Sequence, residues 1–159
     1  MVSGLNLLAM KVEYHNLYTH FVFSTSHRLP LIKEKHRVRI EKYITGIIRN
    51  NQSQLYAIYA NPDHMHFVVS RSPSVSEEEL ATIVSRNSEK FINDYQLCNG
   101  SFEWSDSCAA FSVSKAEINR ICQYVINQPE HHKKLNFSEE YEKFLRYYQK
   151  TIIPKSNKV

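Results

Sequence analysis

The spacing of apolar positions along this chain separates strands from helices before any other property is considered. Tyr14 to Thr25 (YHNLYTHFVFST) concentrates aromatic and β-branched residues and runs into the turn-prone Ser26-His27-Arg28-Leu29-Pro30, which predicts a central strand. From Lys33 to Asn50, Ile40, Tyr43, Ile44, Ile47 and Ile48 recur at helical spacing with Lys and Arg opposite. That pattern predicts an amphipathic helix packed on one face of a sheet. Leu55 to Tyr59 and His64 to Ser70 are short β-type runs joined by the turn-forming Ala60-Asn61-Pro62-Asp63, so they are expected to pair antiparallel.

Ser76 and Glu79 have the spacing of a capping box, and Leu80, Ile83, Val84, Asn87, Phe91, Ile92 and Tyr95 then line one face of a second helix. This helix is expected to end near Asn99-Gly100. Phe102 to Trp104 and Ala110 to Val113 read as two short strands around an irregular Ser-Asp-Ser-Cys connection. Ser114 and Glu117 repeat the capping-box spacing and open a third helix, with Ile118, Ile121, Cys122 and Val125 inward. It is expected to end or kink at Gln128, because the residue before a proline disfavours helical backbone. His131 to Lys134 read as a loop, and Tyr141, Phe144, Leu145 and Tyr148 predict a short terminal helix over residues 138–149. The order strand, helix, hairpin, helix, strands, helix is that of an α+β fold, an antiparallel sheet with helices packed on one face. The opposite face is left for solvent, a partner or a ligand.

Composition narrows the class. With 159 residues, 42% hydrophobic, 23% charged, three Gly and five Pro, the chain reads as one globular domain over residues 1–159, with no repeats, linkers or low-complexity tracts. Residues 1–10 lack the basic start and small-residue cleavage site of a signal peptide, and are expected to form a frayed leader. No apolar stretch approaches the roughly 18 residues of a membrane span. The three cysteines have no C-x-x-C spacing and fit a reducing, cytoplasmic setting. Lys plus Arg exceed Asp plus Glu by 20 to 16, a surplus that suits a polyanionic partner without identifying one.

Among eight histidines, His64 and His66 alone combine tight spacing with an element that aims them. Alternate strand residues share a face, so the two imidazoles project together and are able to share one divalent metal, while Met65 and Phe67 point the other way. Two polar residues decorating an exposed strand face would give the same pattern. Hydrolases of the metallo-β-lactamase kind add an Asp and a further His after such a pair, where this chain has Phe67, Val68 and Val69. Asp63 is placed to orient a histidine from behind, or simply to close the turn. On the third helix Glu117, Tyr124, Gln128 and His131 fall along one stripe, with Tyr124 and Gln128 one turn apart.

These residues resemble the single-tyrosine HUH transposases of the insertion-sequence 200/605 group, including their repeat-associated relatives. The resemblance extends from about Tyr14 to Tyr148 and rests on THFVFST, KYITGIIRN, NPDHMHFVV, SEKFIND and YVINQPEHHKK, in that order and spacing. It implies a ferredoxin-like, RRM-like fold, His64 and His66 as metal ligands, Tyr124 as nucleophile and Gln128 as third ligand. It also implies Mg²⁺ or Mn²⁺, a substrate of single-stranded DNA with hairpin ends, and a 5′-phosphotyrosine intermediate with a released 3′-OH. A cytoplasmic, nucleoid-associated homodimer, with each tyrosine helix completing the partner's site, is the expectation for a short member, although repeat-associated relatives act as monomers. The chemistry is coherent: a divalent cation offsets charge gathering on a phosphodiester, and a phenol with an ordinary pKa near 10 needs activation.

One segment departs from the pattern. Where the group carries a Trp-Gln followed by a glycine-containing turn, this chain has Trp104-Ser105-Asp106-Ser107-Cys108-Ala109. A different reading of the same scaffold is a non-mobile regulatory protein that binds DNA or RNA stem-loops through basic residues such as Lys133 and Lys134.

Overall fold

A computed structural model describes residues 9–152. The first eight residues of the expected leader lie outside the described residues. Strands β1 (Tyr18–Ser24), β2 (Gln54–Ala60), β3 (His64–Ser70) and β4 (Ala109–Val113) form one sheet in the order β2-β3-β1-β4. All three pairings are antiparallel. Helix α1 (Glu34–Asn50) connects β1 to β2 and α2 (Glu77–Asp94) connects β3 to β4, giving the β-α-β-β-α-β ferredoxin-like arrangement. Three more helices follow: α3 (Ile118–Ile126), α4 (Gln128–His132) and α5 (Phe137–Ile152).

α1 and α2 lie on one sheet face, as their apolar stripes require. Phe21, Phe23, Met65, Phe67 and Val69 pack there against Ile40, Ile44, Ile48, Leu80, Val84 and Ile92. Phe67 is the hub, stacked on Phe21 at 4.9 Å and edge-on to Phe23 at 5.1 Å. Cutting such a residue to alanine costs about 3–5 kcal/mol. The opposite face is covered too. Ala57, Val68 and Val113 meet Ile118, Ile121 and Val125 of α3. The central strands β1 and β3 are therefore enclosed on both sides, which is why FVF and HFVV read as continuous apolar runs rather than a strict alternation. A bulge between Leu55 and Ala57 shifts the register of β2, with Leu55 and Ile58 on the side covered by α1 and Ala57 and Tyr59 toward α3.

The capping box of α2 forms: Glu79 N–H donates to Ser76 Oγ at 3.1 Å and Ser76 N–H to Glu79 Oε2 at 2.8 Å. α2 ends at Asp94, earlier than its sequence suggests, and Gly100 takes a left-handed φ of 77° in the following turn. The expected box at Ser114 does not form. Glu117 spends its carboxylate on Arg120, its N–H bonds to the Ser114 carbonyl at 3.0 Å, and α3 begins one residue later. Phe102 to Trp104 is not a strand beyond a single bridge between Thr25 and Trp104. Asn93 replaces the missing ladder, accepting from Phe102 N–H at 2.8 Å and donating to its carbonyl at 2.9 Å.

The glycine-free segment after Trp104 is anchored without any left-handed backbone, since the described positive φ angles all lie elsewhere. Ser105 N–H donates to the Ser24 carbonyl at 2.8 Å and Ser105 Oγ lies 3.0 Å from Ser24 Oγ, so the loop is tied to the end of β1. At the other end the chain breaks at Asn127, not at Gln128, and Pro129 sits in the first turn of α4, where its missing N–H is not needed. His131 and His132 consequently belong to a helix and not to a loop. α5 runs longer than expected at both ends; the side chains of Phe144 and Tyr148 lie outside the described residues. No helix among the described residues is long and apolar enough to cross a membrane.

Candidate active site

His64 and His66 share the face of β3 opposite Met65 and Phe67, and α3, α4 and the start of α5 close over them so that each is only 1% exposed. Their rings stand 5.1 Å apart at 80°. Each imidazole is fixed through its Nδ1. Asp63 Oδ1 lies 2.7 Å from His64 Nδ1, and His20 Nε2, reaching over from β1, lies 3.0 Å from His66 Nδ1. The hairpin turn also contributes: Asn61, 4% exposed, directs Nδ2 to His64 Nε2 at 3.2 Å and to Gln128 Oε1 at 3.1 Å. An amide donor there and a carboxylate at Nδ1 select the tautomer with the proton on Nδ1 and a lone pair on Nε2.

A carboxylate from far along the chain completes the cluster. Asn136 and Glu139 exchange backbone-to-side-chain hydrogen bonds of 3.0 and 3.2 Å that start α5, and the next residue, Glu140, points at the sheet. Glu140 Oε1 lies 3.3 Å from His66 Nε2, and Oε2 lies 3.6 Å from His64 Nε2 and 3.3 Å from His132 Nε2. Phe137, one helical turn earlier, stacks on His64 at 3.9 Å with the Arg28 guanidinium 5.0 Å above its ring.

Tyr124 arrives from α3 of the same chain. Its ring is edge-on to His66 at 5.8 Å, and its hydroxyl donates to Glu140 Oε1. Beside it a cavity of about 330 Å³ is lined by residues that include Arg120, Ile121, His131 and Leu135. Gln128 is fully buried. Its Oε1 accepts from Asn61 and lies 2.8 Å from His132 Nε2, while its Nε2 donates to Glu140 Oε1 at 3.1 Å. Of the residues singled out in the sequence, Asp63, His64, His66, Tyr124 and Gln128 are thus brought together. Glu117 is turned away on Arg120, and Lys133 and Lys134 are exposed, Lys133 pairing with Glu130 at 3.0 Å.

Burial and mutual contacts set the charge states. Burial works against ionisation of Glu140, but the His64 and His66 imidazoles beside it outweigh that and hold the carboxyl at about 2. Burial likewise opposes a charge on His64, yet the Asp63 and Glu140 carboxylates raise its proton affinity. His66 and His20 are pushed down, chiefly by burial. Burial, with His64 and His66 nearby, lowers His132 to about 4. What draws a proton to His64 would equally draw a metal cation.

The donor set fits one. Ligand atoms of His64, His66 and Glu140 lie within 4.8 Å of one another, all three residues are buried, and Glu140 Oε2 accepts no hydrogen bond among the described residues. Two imidazoles and a carboxylate suit a divalent first-row metal or Mg²⁺ and leave coordination positions for a substrate oxygen.

His20, Asn61, His132 and Glu140 were not singled out from sequence. His20 left a trace, a histidine inside an otherwise apolar central strand. Glu140 left none, being one of two adjacent glutamates in a helical first turn.

The family described as Transposase IS200 like matches residues 13–128. Among solved structures the fold is similar to a candidate transposase from Deinococcus radiodurans R1, with a TM-score of 0.59 and 20% identity over 76% of this chain and 98% of that one. It is also similar to a REP-associated tyrosine transposase bound to a REP hairpin, with a TM-score of 0.56 and 12% identity over 80% of this chain and 76% of that one. No curated protein is significantly similar in sequence. With the family match spanning most of the chain, from the segment before β1 through Tyr124 to Gln128, the protein belongs to the IS200-like transposases.

Proposed function

We propose that this chain cuts and rejoins single-stranded DNA at hairpin-bearing ends by transesterification through Tyr124. The observation that carries the reading is the convergence, within one chain, of the Tyr124 hydroxyl and the paired Nε2 atoms of His64 and His66 on one buried point. His64 and His66 would hold Mg²⁺ or Mn²⁺, which when bound offsets negative charge on the scissile phosphate. Asp63 and His20 keep the two imidazoles in orientation from behind. The Tyr124 oxygen forms a bond to phosphorus as the P–O3′ bond breaks; the phenolic proton is lost and the departing 3′ oxygen gains one. The 5′ end stays on Tyr124, and the reverse attack by a 3′-OH restores a phosphodiester without loss of bond energy.

Glu140 accepts the phenolic hydrogen bond, but its carboxyl is held at about 2. A carboxyl held that low is a weak base, so orientation of the phenol is the service it offers. A hairpin-bound relative supports a hairpin substrate here. With Tyr124 meeting the histidine pair of its own chain, a homodimer would serve to hold two DNA ends. Acting on chromosomal DNA places the protein in the cytoplasm at the nucleoid.

The test uses a hairpin oligonucleotide from the flanks of the gene with Mn²⁺. Wild-type protein is expected to give an SDS-resistant adduct, and Tyr124→Phe to give none while binding the hairpin as well as wild type. An undiminished adduct in Tyr124→Phe would overturn the assignment.

A further inference from the structure

Resting on the reading of His64 and His66 as metal ligands, we propose that Glu140 is the third protein ligand of the divalent ion, in place of Gln128. Its two oxygens divide the work. Oε1 is already engaged, accepting from Tyr124 and from Gln128 Nε2 at 3.1 Å. Oε2 faces His64 and His132, is buried, and accepts no hydrogen bond among the described residues. A buried, ionised oxygen without a donor is costly unless a cation neutralises it. His64 Nε2 lies 3.6 Å from Oε2 and His66 Nε2 3.3 Å from Oε1, and ligand atoms of the three residues lie within 4.8 Å of one another, close enough for a single ion to serve all three.

Gln128 is poorly disposed for the same task. A glutamine ligates through its carbonyl oxygen, and that oxygen is committed to Asn61 Nδ2 at 3.1 Å and to His132 Nε2 at 2.8 Å. Its amide nitrogen, which cannot ligate, is the end that faces Glu140. Gln128 is therefore a positioning residue that holds Oε1 and leaves Oε2 for the metal. A carboxylate in the set has a chemical consequence: it supplies a negative charge that an amide does not, so it favours hard cations with oxygen-rich shells such as Mg²⁺ and Mn²⁺. It also ties the metal to the nucleophile through a single side chain, so that occupancy of the site and placement of the phenol are linked.

The experiment measures Mn²⁺ binding directly, by loss of the free-ion electron paramagnetic resonance signal, without DNA or turnover. One ion per wild-type chain is expected. Glu140→Gln should weaken binding about tenfold or more, Glu140→Asp should weaken it less than Glu140→Gln, and Gln128→Ala should cost less than Glu140→Gln. With Co²⁺ at saturation, the visible absorption bands should shift in Glu140→Gln and stay near wild type in Gln128→Ala, a readout that a purely structural role would not move. Wild-type affinity in Glu140→Gln, with binding lost in His66→Ala, overturns the role of Glu140 and leaves the histidine site standing. No Mn²⁺ binding by the wild-type protein overturns both. Should Glu140→Gln fail to fold, unchanged affinity in Glu140→Asp would count against the proposal in the same way.

Discussion

Phe137 is the residue whose removal should detach Glu140 from the site without unfolding the sheet. It is 8% exposed, its ring lies 3.9 Å from His64 at an interplanar angle of 22°, and Arg28 caps its other side at 5.0 Å while donating to Ser138. Phe137→Ala removes a ring buried between a histidine and a guanidinium and leaves a gap that the first turn of α5 cannot fill. In a rigid core that change costs about 3–5 kcal/mol, and at a domain edge, where one wall is an exposed arginine, the lower figure applies. About 3 kcal/mol is roughly two orders of magnitude in the ratio of docked to undocked α5. Terminal helices open locally at less cost than central strands, so the effect should appear first in α5. Native-state hydrogen exchange is the assay: α5 amides should exchange roughly 100-fold faster in Phe137→Ala, with β1 and β3 amides still the slowest in the protein. Wild-type protection of α5, or loss of protection in β3 as large as that in α5 with no separate opening of the helix, would refute the view that α5 is a separately docked element held by this clamp.

Two other outcomes follow from the same geometry. Because Tyr124 lies over the His64–His66 pair of its own chain, mixing Tyr124→Phe with His64→Ala protein should not restore adduct formation or cleavage; recovery from verified heterodimers would show that tyrosine helices are exchanged between subunits. Trp104 Nε1 donates to the buried Ser88 Oγ at 2.9 Å, so Trp104→Phe, which loses that bond and part of the ring, should lower stability by about 2 kcal/mol in chemical denaturation, and an unchanged midpoint would contradict it.

The order of elements was legible in the sequence because it depends on near neighbours. Apolar residues at helical spacing gave α1 and α2 the faces they bury, except that Asn87 and Tyr95, assigned to the inner face of α2, are exposed and Ser88 is buried instead, and the run from His64 to Ser70 is the strand β3 to the residue. The common face of His64 and His66 follows from the period of a strand alone. The departures are equally local in origin. Ser114 and Glu117 have the right spacing for a cap, but a turn and an arginine claim them first, and the backbone of Phe102 is satisfied by Asn93 instead of a neighbouring strand. The glycine-free loop after Trp104 is tied to Ser24 through hydrogen bonds that need no left-handed backbone.

What the chain's local pattern does not contain is which distant residues meet. His20 reaches His66 because β1 lies beside β3 with Val22 opposite His66, a register set by the packing of the whole sheet. Asn61 faces Gln128 only because the hairpin turn and the α3–α4 break close on the same end of the sheet. Glu140 is indistinguishable from Glu139 by composition or neighbours; one caps its helix and the other is buried among three histidines and a tyrosine. Periodicity reports the side on which a segment is apolar, whereas the partner it buries that side against is fixed by the summed packing of the entire chain. The histidine pair was therefore a property of the sequence, and the carboxylate that completes it a property of the fold.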